Sequence, residues 1–119
     1  MLRSILCVFA ALEIAASEPM MVEVRTGGDD ELTQRLADQV RATFAAAPDY
    51  TADTSAKRLI ITIPTHIQWR EINGNTKIAY HAEIALGSKS IRHSGSCWEA
   101  GMALCANQIV KAAAAFKHN

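Results

Sequence analysis

The chain predicts an α+β fold: a two-layer α/β sandwich in which a small, mostly antiparallel sheet carries two helices on one face, in the order β-α-β-β-β-α, behind an N-terminal signal peptide. Three observations carry this. Apolar residues recur every four positions from Leu32 to Phe44, and every three or four from Trp98 to Phe116, the spacing of a single buried helix stripe. From Lys57 to Leu86 the period drops to two, as in strands with one buried and one wet face. Asn73-Gly74 separates two such alternating runs, which is the strongest short-range signal for a hairpin.

Residues 1–17 (MLRSILCVFAALEIAAS) hold an early cation at Arg3, an apolar run from Ile5 to Leu12 and a small-residue end at Ala15-Ala16-Ser17. That order resembles a secretory signal peptide cut before Glu18, which leaves residues 18–119 as one domain exported to the periplasm or beyond. If residues 1–17 were retained, the chain would be cytoplasmic. No apolar stretch is long enough to span a bilayer.

The first strand is read at Met21–Thr26, ended by Gly27-Gly28. Asp29 or Asp30 then offers an acceptor to the free N–H groups of a helix start, and the helix runs to about Ala47, where Pro48 stops it. A loop over residues 49–56 follows. In the next run Leu59, Ile61, Ile63, Ile67 and Trp69 take the buried face, and Pro64 marks a bulge, a break or a free edge. After the turn Ile78, Tyr80, Ala82, Ile84 and Leu86 take that same face. A two-residue loop at Asn73-Gly74 makes facing positions sum to 147, setting Trp69 against Ile78, Ile61 against Leu86 and Ile63 against Ile84. Gly87-Ser88 begins a second turn, and Ser90–Ser94 is a further strand with Ile91 toward the core. Ser96-Cys97-Trp98-Glu99 matches the reciprocal S-x-x-E cap of a second helix, whose buried stripe is Trp98, Met102, Cys105, Ile109, Ala112 and Phe116.

Charge narrows the partners. The chain has 12 cations and 12 anions, which argues against nucleic acid as the ligand. The balance is uneven along the chain: residues 18–56 carry eight acids and three bases, and residues 57–119 three acids and eight bases. An acidic first helix packed beside a basic sheet is the simplest reading of that split.

Cys7 leaves with the signal, so Cys97 and Cys105 remain in an oxidising compartment. Within one continuous helix they would lie about 12 Å apart, too far to bridge. Either the helix starts at Ser96 and the thiols stay free, or residues 97–102 fold back, with Gly101 permitting the turn, and a disulfide pins them to the helix start. The capping pattern favours the first and the compartment the second; the disulfide is the expectation carried forward.

No motif of catalysis is present: no P-loop, dinucleotide fingerprint, H-E-x-x-H, C-x-x-C or nucleophile elbow. His93, on the side of Ile91, reads as a satisfied, partly buried histidine. Two function classes remain. The leading one is an exported, non-catalytic interaction protein that offers a sheet face carrying His66, Gln68, Arg70, Lys77 and His81 to a protein partner in the cell envelope, as an envelope-assembly accessory or a toxin-immunity protein would. The element order is similar in outline to small α/β domains of periplasmic envelope-assembly proteins. The other class is a metal-binding protein or metal-dependent enzyme, in which His66, His81 and Glu83 hold a divalent ion on that face. No other cofactor is implied.

Overall fold

A computed structural model describes residues 19–51 and 57–118. Residues 1–17, read above as a signal peptide, and most of the expected 49–56 loop lie outside the described residues. The elements are β1 (Met20–Thr26), α1 (Glu31–Ala46), β2 (Tyr50–Thr51), β3 (Arg58–Ile63), β4 (Gln68–Ile72), β5 (Asn75–Leu86), β6 (Lys89–Trp98), a single 3₁₀ turn (Glu99–Gly101) and α2 (Met102–Lys117). The fold is α+β, with two helices on one face of a mixed six-stranded sheet. Strand β1 runs parallel to β2 and β3, and β5 is antiparallel to β3, β4 and β6. Two strands exceed the expected count because Pro64 divides one run and Tyr50–Thr51 pairs with β1 at the start of the expected loop.

The hairpin turn forms as its residue types require. Asn73 and Gly74 both have positive φ, 51° and 81°, the combination a two-residue turn needs to match the strand twist. Ile72 faces Asn75 and Trp69 faces Ile78, as the turn dictates. Beyond Gln68 the register departs from expectation: Ile61 faces Ile84 and Leu59 faces Leu86, a shift of two positions. The unpaired residues at the Pro64 break absorb the difference, and a slip of two keeps every side chain on its own face where a slip of one would invert it. Strands β3 and β4 therefore lie end to end along one edge of β5.

The break is packed by the β1–α1 loop. The Gly27 N–H donates to the Ile63 carbonyl at 2.7 Å, and any Cβ on Gly27 would fall on the Pro64 carbonyl. Asp30 caps α1 by accepting from the Thr33 N–H at 3.1 Å, and Thr33 Oγ1 accepts from the Ile67 N–H at 3.1 Å. Leu36, Val40 and Phe44 are buried as the stripe requires, with Thr33 and Ala37 beside them.

The second helix starts later than the S-x-x-E pattern implies. Ser96, Cys97 and Trp98 continue the ladder with β5, Cys97 opposite Ile78, and Glu99 pairs with Arg35 at 2.7 Å instead of capping. Backbone pairing along ten residues of β6 outweighs one local cap. Because Cys97 is on a strand, it reaches Cys105 in the first turn of α2, with a Cα–Cα distance of 5.7 Å, and the disulfide forms. Gly101 has φ −119°, so the fold-back does not draw on glycine's left-handed freedom. Trp98 consequently leaves the helix stripe for the open face, and Met102, Cys105, Ala106, Ile109 and Ala113 form the buried side of α2. Ile91 does lie on the helix side, opposite Ile84, yet remains exposed because β6 is an edge strand.

Candidate functional site

With both helices on one side, the other face of the sheet is open. The register arranges it in rows. Arg70, Lys77 and Trp98 form one; Gln68, Ala79 and Ser96 the next; His81 and Ser94 follow; then come Thr62, Glu83 and Arg92. Two depressions meet on the middle rows. One, of about 480 Å³, is lined by Gln68, Trp69, Arg70, Lys77, Ala79 and Ser96. The other, of about 200 Å³, lies at the Pro64 break and includes Thr65, His66, Gln68, Ala79, His81 and Ser94. Gln68 and Ala79 border both. Four of the five residues expected on an interaction face, Gln68, Arg70, Lys77 and His81, thus lie on this surface, and His66 stands on the break at its margin.

The face is cationic for a local reason. Arg70 lies directly opposite Lys77, which places like charges about 5 Å apart at Cβ. Lys77 Nζ lies 5.0 Å from the centre of the Trp98 ring, a cation–π contact. The nearby acids are engaged elsewhere: Glu71 accepts from Thr76 Oγ1 at 2.8 Å and Glu99 from Arg35. Among the described residues no carboxylate forms an ion pair with Arg70, Lys77 or Arg92. The acids of the first segment do not reach the Arg70–Lys77 row, because they are used close to home, Glu23 on the β1 part of the same face. Glu31 pairs with Arg35 and Asp38 with Arg41 along α1. Glu23 is shared by Arg25 and Arg58, and the hydrogen bond from Arg25 is foremost in holding its carboxyl below the usual range.

The structure does not assemble His66, His81 and Glu83. The paired register ends at Gln68–Ala79, so His66 is lifted off the ladder and turns toward the start of α1. Its Nε2 lies 3.3 Å from Asp29 Oδ1 and 3.5 Å from Asp30 Oδ1. Burial works to raise the Asp30 carboxyl, but hydrogen bonds from Thr33 and the charge of His66 outweigh it and the net direction is down. His81 faces Ser94, and Glu83 faces Thr62 and Arg92. His66 and His81 border the same cleft, but among the described residues no three His, Cys, Asp or Glu side chains stand together closely enough to hold a metal ion. The Gly27-Gly28 pair was the available signal, since it admits the helix start to the break that displaces His66.

A second polar cluster lies on the helix side. Tyr80 Oη donates to Gln108 Oε1 at 2.9 Å and lies 2.8 Å from His93 Nε2. Gln108 Nε2 donates to the Ser96 carbonyl at 3.1 Å. With the Gln108 Oε1 and the Cys105 carbonyl both acceptors for its one proton, the Tyr80 hydroxyl is placed to accept from His93 Nε2. Burial pushes the Tyr80 phenol up to about 12 and the His93 imidazole down, so both are neutral near pH 7. Opposite Tyr80, a Cβ at Gly95 would collide with the Tyr80 hydroxyl and Gln108. His93 is therefore the satisfied, partly buried histidine that its position suggests. The cluster ties β6 to α2 alongside the disulfide, and the nearby Cys97 thiol is consumed in that bridge.

No protein-family model matches the chain, and no curated protein matches it. A solved structure described as "Crystal structure of uncharacterized protein" has a similar fold, with a TM-score of 0.51 and 10% sequence identity. The match covers 79% of this chain and 92% of that one. At this identity the likeness establishes the fold alone.

Proposed function

We propose that the chain is a non-catalytic, exported interaction protein that docks a protein partner in the cell envelope on the open face of its sheet. The observation that carries the reading is the segregation of layers. Both helices cover one side, and the other presents an Arg70–Lys77 row with no internal counter-charge above an open depression. A mixed surface of this kind, polar with an aromatic at its margin, suits a transient interface better than a buried one. The Cys97–Cys105 bridge is compatible with an oxidising compartment. An envelope-assembly accessory and an immunity protein that blocks a secreted toxin both fit this description.

The test is recovery of partners from an envelope extract by the wild-type chain and by an R70E/K77E variant whose thermal unfolding matches wild type. Loss of the partner with the variant is the expected result, and equal recovery overturns the proposal. Mass spectrometry of the accumulated protein addresses compartment separately. A first residue at Glu18 is expected; a retained Met1–Ser17 segment would move the protein to the cytoplasm.

A further inference from the structure

Strand β4 sits at the end of the sheet and pairs only with β5. The ladder of β1 stops at Thr26 opposite Ile63, before β4 begins, so among the described residues nothing pairs with the outer edge of β4. An open edge offers a row of backbone donors and acceptors to another extended chain. The two sides of this edge differ in chemistry. Toward the helix side stands Trp69, 59% exposed, the most exposed of the large apolar side chains among the described residues. Toward the open face stands Arg70 with Lys77 opposite, the unneutralised cation pair. The other long free edge, β6, shows Ile91 and Arg92 on the corresponding sides, but Arg92 stands opposite Glu83 and the Ser96 carbonyl already accepts from Gln108.

Resting on the docking-face reading above, we propose that the partner binds as an extended acidic segment that adds a strand to the free edge of β4. Period-two alternation places its side chains by turns on the two faces. A carboxylate of the added strand stands beside Arg70 on the open face, with Lys77 one strand further in, and offsets the repulsion between the two cations, and the neighbouring apolar side chain covers Trp69. A polypeptide fits better than a nucleic acid or an anionic membrane. The cation pair is small, the chain as a whole is neutral, and an extended polyanion would also meet the acid-rich first segment. Only a polypeptide can use the backbone edge and the Trp69 surface together.

The experiment titrates the isotope-labelled chain, as it accumulates in the cell, with end-blocked eight-residue peptides while backbone amide spectra are followed. One peptide alternates Glu with Val and a second alternates Lys with Val. Two more are the Glu-Val peptide N-methylated on the glutamates or on the valines. The Glu-Val peptide is expected to shift the amides of residues 68–72 and the Trp69 indole. Binding should weaken at least about tenfold for the Lys-Val peptide and for R70E/K77E. One N-methylated peptide should bind and the other fail, because alternate amides point to opposite edges. Equal affinity of the Glu-Val and Lys-Val peptides, parity of the two methylated forms, or shifts confined to other strands overturns strand addition. If R70E/K77E loses its envelope partner while the Glu-Val peptide leaves β4 unmoved, the docking face stands and only this mode of binding falls. If partner recovery is unaffected too, both fall.

Discussion

Strands β3 and β4 lie along the same edge of β5 and turn apolar side chains to the same face, Leu59, Ile61 and Ile63 on one and Trp69 on the other, yet these meet opposite fates. Leu59, Ile61 and Ile63 of β3 are fully buried or nearly so, whereas Trp69, in the equivalent phase on β4, stands in water. The difference is cover. Helix α1 starts beside the Pro64 break, where Thr33 takes the Ile67 N–H, and continues over β1 and β3, leaving β4 without a helix. Where β5 passes under this second half, Ile78 is kept dry by the start of α2, held by Met102 and by the bridge from Cys97 to Cys105. Alternation thus records which face a side chain takes, and the layer above decides whether that face is dry.

The sharpest way to break the comparison is to truncate matched positions. Ile61→Ala in the covered half should cost about 2–5 kcal/mol, read from the urea midpoint, because it removes buried volume and leaves a cavity. A cost below about 1 kcal/mol would mean that β3 is not the centre of the core. Next in size is the bridge. Replacing Cys97 and Cys105 together by Ala should cost about 2.5 kcal/mol for so short a loop, and hydrogen exchange should quicken first at the Ile78 end of β5 and β6. Uniform quickening along both strands would show that the bridge does not act as a local clamp. Trp69→Ala should change stability by no more than about 0.5 kcal/mol while reducing partner recovery. A large stability loss would show that this tryptophan belongs to the core and not to an interface.

The gentlest lever is pH, acting at His93 where the Tyr80 cluster joins the sheet to α2. Burial holds this imidazole below its ordinary 6.5, so the folded chain takes up the proton less readily than the unfolded chain. The stability this contributes is complete above about 6.5 and is lost as pH falls through the depressed folded value. Denaturation midpoints between about pH 7 and pH 5 should therefore fall more steeply for wild type than for His93→Gln. Equal slopes would remove His93 as the source.

Much of the fold could be read from residues because it rests on local rules. Asn73-Gly74 fixed a turn that needs two positive φ angles, Asp30 supplied a cap, and the change of period separated helix from strand. The candidate face was also legible in part: Gln68, Arg70, Lys77 and His81 share a side by parity alone, and the two-residue slip at Pro64 leaves parity intact. The rest was hidden where local and non-local forces compete. Ser96-Cys97-Trp98-Glu99 carries a valid helix-start pattern, but ten residues of pairing with β5 override it, which exposes Trp98 and brings Cys97 to Cys105. The expected pairing of His66 with His81 relied on extending one register through a proline, and the glycine pair of the β1–α1 loop occupies that break instead.

By itself, therefore, the sequence determined the fold class, the hairpin and the side of the sheet taken by the residues of β3, β4 and β5, because periodicity and turn chemistry act over a few neighbouring residues. Tertiary structure alone decided which half of the sheet lies under a helix, where α2 begins, and that Arg70 and Lys77 meet with no acid between them. Those outcomes depend on how far a helix reaches and on which long-range contacts outweigh a local signal, quantities that no short window of residues contains.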